Sequence, residues 1–340
     1  MTGPARIGVD LGGTKIEGIR LEGSRVVKRL RRPTPRDDYG GTLDAIEALV
    51  QALEGGEKPA VGIGTPGSWL PGPERMQNCN STWLNGRPLL IDLITRLGDR
   101  VRIANDADCF ALSEASDGAA AGAGVVFGVI LGTGVGGGVV VNGQLLKGRN
   151  GLVGEWGHTP AVAVAKELAG RTCYCGRMDC VETHLSGPGL HQSYKTLFPK
   201  QAPMPVDAAA IYAQARLADA PPDWHRRFLE DDLEGSQIVQ ALAASRSAPV
   251  FGDPVQQARL TLLLWSHTLA ANLAAIVNLL DPDVIVLGGG LSEMQDLYPI
   301  VRELMAPHVF GEVFETALTA PAYGAASGVR GAAWLWPADA

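Results

Sequence analysis

A strand that breaks on glycines and a threonine, then resumes as a second strand, occurs twice in this 340-residue chain. The first copy, Arg6-Ile7-Gly8-Val9-Asp10, turns through Leu11-Gly12-Gly13-Thr14-Lys15 and leaves as Ile16-Glu17-Gly18-Ile19. The second runs from Val125 to Leu131, turns at Gly132-Thr133-Gly134-Val135-Gly136 and continues to Val141. A strand follows each turn, so neither is a Walker loop, which would open a helix. The repeat implies two related α/β halves, each offering a glycine hairpin to a shared cleft. Glycines let backbone N–H groups reach phosphate oxygens, and Thr14 and Thr133 add hydroxyls. One hairpin alone reads as an ordinary tight turn. Two, with Gly288-Gly289-Gly290 after the apolar strand Val284 to Leu287, favour phosphates and a nucleoside. Asp10 ends its strand where it can hold Mg²⁺ through water. Lys15 either offsets negative charge or is a solvated hairpin lysine.

Asp37 or Asp38 can cap a helix carrying Leu43, Ile46, Leu49, Val50 and Leu53 on one face. The strand Val101 to Ala104 ends in Asn105-Asp106, and a helix follows to about Gly118. A carboxylate there can accept a hydroxyl proton during phosphoryl transfer, a reaction that needs positioning and one well-placed base. The plain alternative is Asp106 as a helix cap. A long helix is expected from Val255 to Leu280 with one apolar face, stopped by Asp281-Pro282. Ser292 is expected to cap the next helix. Ala325 to Trp336 reads as a helix able to pack back on the first half. The span 198–254 is rich in proline and carries no chemical signal.

Three of the five cysteines, Cys173, Cys175 and Cys180, fall within eight residues, and His158 lies a loop upstream. One nitrogen and three sulfurs suit tetrahedral zinc, and four protein ligands close the site, which makes it structural. The alternative is free buried thiols beside a core histidine. Cys79 and Cys109 read as core, and His184 as a surface or substrate-side residue. The odd count and tight spacing do not resemble a disulfide framework, so a reducing cytoplasm is expected. The formal net charge of -7 leaves no basic footprint for nucleic acid. The uncharged run Gly118 to Val141 is rich in glycine and reads as a buried strand pair, so no membrane is expected. The expected partner is a small ligand or a second copy of the chain.

Asp10 to Lys15, Leu131 to Gly138, Glu155-Trp156-Gly157-His158, Cys173-Tyr174-Cys175 to Cys180-Val181-Glu182 and Leu287 to Gly290 together resemble the ROK family, over nearly the whole chain. Its members are sugar kinases and sugar-responsive repressors. The resemblance implies an α/β, two-domain actin-like ATPase (ribonuclease H-like) fold with a zinc-bound loop and an active site in the interdomain cleft. Residues 1–120 with 325–340 would form the small N-terminal domain. Residues 121–324, with the zinc loop and the span 198–254, would form the large one. The stretches Pro33 to Tyr39, Asn80 to Gly86, Asn278 to Gly290 and Ser327 to Pro337 look closer still to bacterial fructokinases (manno/fructokinases) of that family.

The resemblance also implies roles. Asp106 would be the catalytic base. Asn80, Asn105, Asp106, Glu155, His158 and Glu182 would bind the hexose. Gly12, Gly13, Thr14, Lys15, Gly132, Thr133 and Gly134 would hold the ATP phosphates, Gly288 and Gly289 the adenosine, and Asp10 would organise Mg²⁺. His158, Cys173, Cys175 and Cys180 would bind the zinc. The implied reaction is transfer from ATP to the 6-hydroxyl of fructose, and of mannose as well, by a cytoplasmic homodimer. A glucokinase or N-acetylhexosamine kinase is the enzymatic alternative. A sugar-binding repressor is the weaker one, because it needs a helix-turn-helix ahead of a strand that already begins near Arg6. Three departures stand out: Asp179 where relatives have glycine before the last cysteine, Tyr323-Gly324-Ala325 where they tend to have His-Gly-Asp, and a span 198–254 longer than in close relatives, onto which no role is carried over.

Overall fold

Two five-stranded sheets of one topology frame the molecule. The computed structural model describes residues 4–200, 203–221, 224–226 and 253–337. The first half contains β1 (Ala5–Leu11), β2 (Lys15–Glu22), β3 (Arg25–Pro33), α1 (Tyr39–Glu54), β4 (Ala60–Thr65), the small hairpin β5 (Ser68–Leu70) and β6 (Arg75–Gln77), α2 (Leu89–Leu97), β7 (Val101–Asn105) and α3 (Asp106–Ser116). The second half contains β8 (Val125–Leu131), β9 (Val135–Val141), β10 (Gln144–Leu145), α4 (Val181–Leu185), α5 (Gly187–Leu197), α6 (Ala208–Ala215), α7 (Pro254–Leu280), β11 (Val284–Gly288), α8 (Tyr298–Met305), β12 (Ala317–Thr319) and α9 (Ser327–Trp334).

The sheet orders are β3-β2-β1-β4-β7 and β10-β9-β8-β11-β12. In each, two antiparallel pairings are followed by two parallel ones. The repeat seen in the glycine hairpins therefore extends to all five strand positions. Both hairpins, β1–β2 and β8–β9, turn at the same end of their sheets. This is the actin-like ATPase architecture.

Close backbone approach welds α9 to the first sheet and to α3. Val329 O would lie 2.1 Å from a Cβ at Gly8, and Cys109 O only 1.5 Å from one at Gly331. Only glycine lets α9 lie flat on β1 and against α3. On its other side α3 meets the second sheet, where a Cβ at Gly128 would sit 2.6 Å from that of Ala111. The C-terminal helix thus packs on the first sheet, as its sequence indicated. Arg330 stacks 3.7 Å over the Tyr323 ring, and Tyr323 Oη donates to Asp117 O at 2.8 Å. The tyrosine at that departure is part of this weld.

Asp38 caps α1 by accepting the Gly41 N–H, and the expected apolar face is buried. Helix α7 differs from expectation. It is buried nearly all round from Gln257 to Ala274 rather than along one face, because both neighbouring layers cover it. It is long and apolar enough to cross a membrane, but 83% of its most apolar window is buried inside the fold, as in a core helix. Ser292 is not a helix cap. Its hydroxyl donates to Gly289 O at 2.7 Å inside a 3₁₀ turn, and α8 starts only at Tyr298. Most of the span 198–254 lies outside the described residues; within it, α6 and a 3₁₀ turn at Leu217–Asp219 are formed.

Candidate active site and zinc loop

The first hairpin, the loop at Asn80 and the start of α3 meet around one cleft of about 370 Å³. Its lining includes Asp10, Gly12, Gly13, Thr14, Asn80 and Asp106, together with Arg36, Pro66, Ser81 and Trp83. The last four were missed by sequence reasoning. Arg36 carried a signal, since it stands in the Pro33–Tyr39 stretch just before a left-handed Asp37. Thr34 fixes the hairpin by donating to Gly12 O at 2.7 Å, while its N–H donates to Thr14 O at 3.1 Å. Lys15 Nζ turns towards Glu17, 3.6 Å away.

Asp106 is exposed to the cleft. The helix cap is Asn105, not Asp106. Asn105 Oδ1 accepts the Ala107 N–H at 2.9 Å, and its Nδ2 donates to Gly67 O at 3.2 Å. Asn105 therefore spends its amide on the protein, and Asp106 is carried on the first helical residue, facing outward. The surrounding walls, and then Glu155, push the Asp106 carboxyl above its usual range, although the Ala107 N–H opposes them. Glu155 is itself raised, first by burial and then by Glu182, with His158 acting in the opposite sense. Glu155 thus lies within electrostatic reach of Asp106, His158 and Glu182. Asp10 is raised to about 6 by burial, then by Asp106 and Glu17. A half-buried carboxylate crowded by two others fits a site that a divalent cation completes. Asp108, one turn position further into α3, was also missed; burial, Asp106 and Glu155 raise it to about 7.

The Glu155–His158 motif explains itself locally. Trp156 is buried and donates from Nε1 to Gly136 O at 2.9 Å. Val135 O would lie 2.1 Å from a Cβ at Gly157. These two residues pin the turn beneath the second hairpin, which leaves Glu155 and His158 free to serve the site. Glu182 Oε2 accepts the Val135 N–H at 2.9 Å, so it touches the second hairpin directly. Gly132 has open space around it. Gly288 and Gly289 do not line the cleft above. Their Cβ positions are taken by the Phe110 ring at 2.5 Å and Leu131 O at 2.3 Å, so packing alone demands glycine there. Gly290 is the member of the triplet with open space.

One ligand atom each from His158, Cys173, Cys175 and Cys180 lies within 4.8 Å of all the others. His158 Nδ1 to Cys173 Sγ and Cys175 Sγ to Cys180 Sγ are both 3.6 Å. Tetrahedral zinc with ordinary bond lengths requires about 3.5–3.8 Å for such pairs, so the donor set fits the ion. The Arg177 N–H, then the neighbouring sulfurs, pull the Cys175 thiol down to about 6, towards the thiolate that zinc binds. His158 Nε2, the nitrogen left for a sugar, lies 2.9 Å from Tyr174 Oη. Asp179 holds φ 51°, a left-handed conformation that glycine adopts without strain. His184 is not a surface residue. It is buried, with Nε2 3.0 Å from Asp179 Oδ1. Cys79 and Cys109 are buried, as expected.

Two sheets of repeated topology, each with a glycine hairpin, an acidic cleft and a Cys₃His loop define an actin-like phosphotransferase scaffold. The ROK family model matches residues 6–339, and the chain belongs to the ROK family. It is 35% identical over 336 residues to an N-acetyl-D-glucosamine kinase of Erwinia tasmaniensis, covering 96% of this chain and 98% of that one. A ROK hexokinase structure from Thermus thermophilus superposes with a TM-score of 0.72 at 24% identity, covering 97% of both chains. A ROK family glucokinase from Streptomyces griseus, in complex with glucose and AMPPNP, gives 0.66 at 28% identity over 97% of this chain and 98% of that one. The curated relatives point to N-acetylglucosamine kinases rather than to the fructokinase expected from local motifs.

Proposed function

We propose that the chain is an ATP- and Mg²⁺-dependent sugar kinase that phosphorylates the 6-hydroxyl of N-acetyl-D-glucosamine. The observation that carries the reading is Asp106, an open carboxylate sharing one cleft with the Gly12–Thr14 hairpin and Asn80. The hairpins hold the ATP phosphates, and Asn80, Glu155 and Glu182 orient the hexose. The sugar hydroxyl gives its proton to Asp106 as its oxygen takes the γ-phosphoryl group. Raised basicity makes Asp106 a stronger proton acceptor for this step. Mg²⁺ held through Asp10 supplies charge neutralisation on the phosphates. Closure of the two halves excludes water that would otherwise hydrolyse ATP. Zinc on His158, Cys173, Cys175 and Cys180 supplies a fixed loop, not chemistry, because its four positions are filled by protein. Unoxidised thiol ligands fit a reducing cytoplasm.

The sugar assignment rests on the curated relatives, which match the chain over nearly its full length. Fructose is the second reading, favoured by the Asn80 to Gly86 stretch that resembles fructokinases. A coupled ATP assay across N-acetylglucosamine, glucose, fructose and mannose tests both. The highest kcat/KM is expected for N-acetylglucosamine. Fructose or mannose exceeding it by more than about tenfold, a 1.4 kcal/mol preference, would replace the assignment.

A further inference from the structure

The zinc loop has a second anchor that uses none of the metal ligands. Its ends form a small hairpin, in which the Asp179 N–H donates to Arg171 O at 2.8 Å and Thr172 bridges Met178. The Asp179 carboxylate accepts the N–H groups of Gly170 and Arg171, both at 2.9 Å, and holds His184 Nε2 at 3.0 Å. His184 is buried in α4, two residues beyond Glu182. From the same hairpin, the Arg171 guanidinium donates to Thr183 O at 2.7 Å, Gly189 O at 2.9 Å and Ser193 Oγ at 2.9 Å. The two residues therefore grip α4 by the His184 side chain and the Thr183 carbonyl, and α5 by Gly189 O and Ser193 Oγ. Helix α4 in turn grips the second glycine hairpin at both ends. Glu182 accepts the Val135 N–H at 2.9 Å, and the Gly187 N–H following α4 donates to Gly132 O at 2.8 Å.

We propose that Asp179 and Arg171 are positioning residues: a metal-independent brace that sets Glu182 against the hexose and holds the Gly132–Val135 hairpin on the nucleotide. The inference rests on the kinase reading above for what Glu182 and the hairpin bind. Two physical points favour it over simple loop stiffening. Charged groups hold both ends of the brace, and charge-assisted bonds are the strong class. Beyond the loop's own N–H groups, their partners are Thr183 O and the buried His184 of the helix that bears Glu182, and Gly189 O and Ser193 Oγ of the helix that follows it.

The test is a double-mutant cycle. Asp179→Gly keeps a residue suited to φ 51° and removes only the carboxylate. Asp179→Asn keeps an acceptor oxygen and also tolerates the left-handed region. Wild type, D179G, D179N, E182Q and D179G/E182Q are compared for zinc content, Tm, kcat and the KM of hexose and ATP. For D179G we expect one zinc per chain, a hexose KM raised about tenfold and an ATP KM raised about threefold, with kcat changed less than either. D179N recovers most of the loss. In the E182Q background, D179G adds less than about a twofold change, because the brace acts through Glu182. Unchanged KM values, an effect persisting in full without Glu182, or loss of zinc would each overturn the brace. Should D179G not fold, R171K enters the same cycle, since lysine keeps the charge but loses the fork. A wild-type protein that phosphorylates no hexose would fail the functional reading instead. The cycle is then read from hexose and nucleotide affinities by calorimetry.

Discussion

Asn85 grips Cys79 with both ends of its side-chain amide: Oδ1 accepts the Cys79 N–H at 2.9 Å and Nδ2 donates to the Cys79 carbonyl at 3.1 Å. The clamp fixes the residue immediately before Asn80, which lines the cleft. Asn85→Ala leaves both backbone groups of Cys79 without that partner, at a cost of about 1–3 kcal/mol. Hexose KM should rise about tenfold while kcat changes less, the signature of lost substrate positioning. Steady-state kinetics with the preferred hexose decide it; a KM within twofold of wild type rules the clamp out.

Asp106→Asn tests the base. Positioned proton transfer contributes about 10²–10⁴-fold, so kcat should fall by at least about a hundredfold while calorimetry still detects hexose binding. The pH profile has a definite sign. The base works only when ionised, and burial with Glu155 raises its pKa. Activity is therefore lost as pH falls through that raised value and is present on its alkaline side. Retention of more than about a tenth of wild-type kcat, a 1.4 kcal/mol effect, would sink the assignment.

The hairpins were legible because the repeat couples two local signals, strand and glycine turn, that no single element needs. Their sheets follow from that repeat, and α1 from apolar periodicity. The zinc ligands were legible because cysteine is scarce and spacing is local. Asp108 and Arg36 were hidden for the opposite reason: a carboxylate in a helix and an arginine in a loop are common, and only folding crowds Asp108 against Asp106 and Glu155 and brings Arg36 to the cleft. His184 reads as polar, yet its burial is set by Asp179 and Arg171 across the loop, a contact with no signature in spacing. At Gly288 and Gly289 the pattern pointed to a ligand, and packing on Phe110 and Leu131 also calls for glycine there. Glycine marks close approach without saying what approaches.

Asp10 should make the ligand-free protein less stable at neutral pH. Burial and its acidic neighbours lift its folded pKa to about 6, above the ordinary value of 3.8. Such a group stabilises fully below the unfolded value and loses that contribution as pH rises through about 6. At pH 7 the charged, crowded carboxylate costs about 1–3 kcal/mol. Asp10→Asn should therefore raise the Tm of free protein at pH 7, while abolishing Mg²⁺-dependent turnover. At pH 4 the two proteins should melt nearly together. A lower Tm for Asp10→Asn at pH 7 would contradict the electrostatic account.

Zinc removal should act locally. The four ligands lie on one loop, with Cys175 exposed, whereas the two main cores sit beneath each sheet. Losing the ion leaves the Asp179–Arg171 base in place and frees His158 and the turn around Cys175. Cys180→Ser, or chelation, should therefore lower hexose affinity more than tenfold and expose the loop to protease, without unfolding either sheet. The reason is that metal binding free energy is spent on the segment it orders. Metal analysis of the purified wild type should give about one zinc per chain, as four closed ligands require. Far-ultraviolet circular dichroism should stay near native while limited proteolysis cuts within 158–180. Zinc-free protein with full activity would remove the metal from the account; global unfolding on chelation would show that the loop nucleates the second half instead of decorating it.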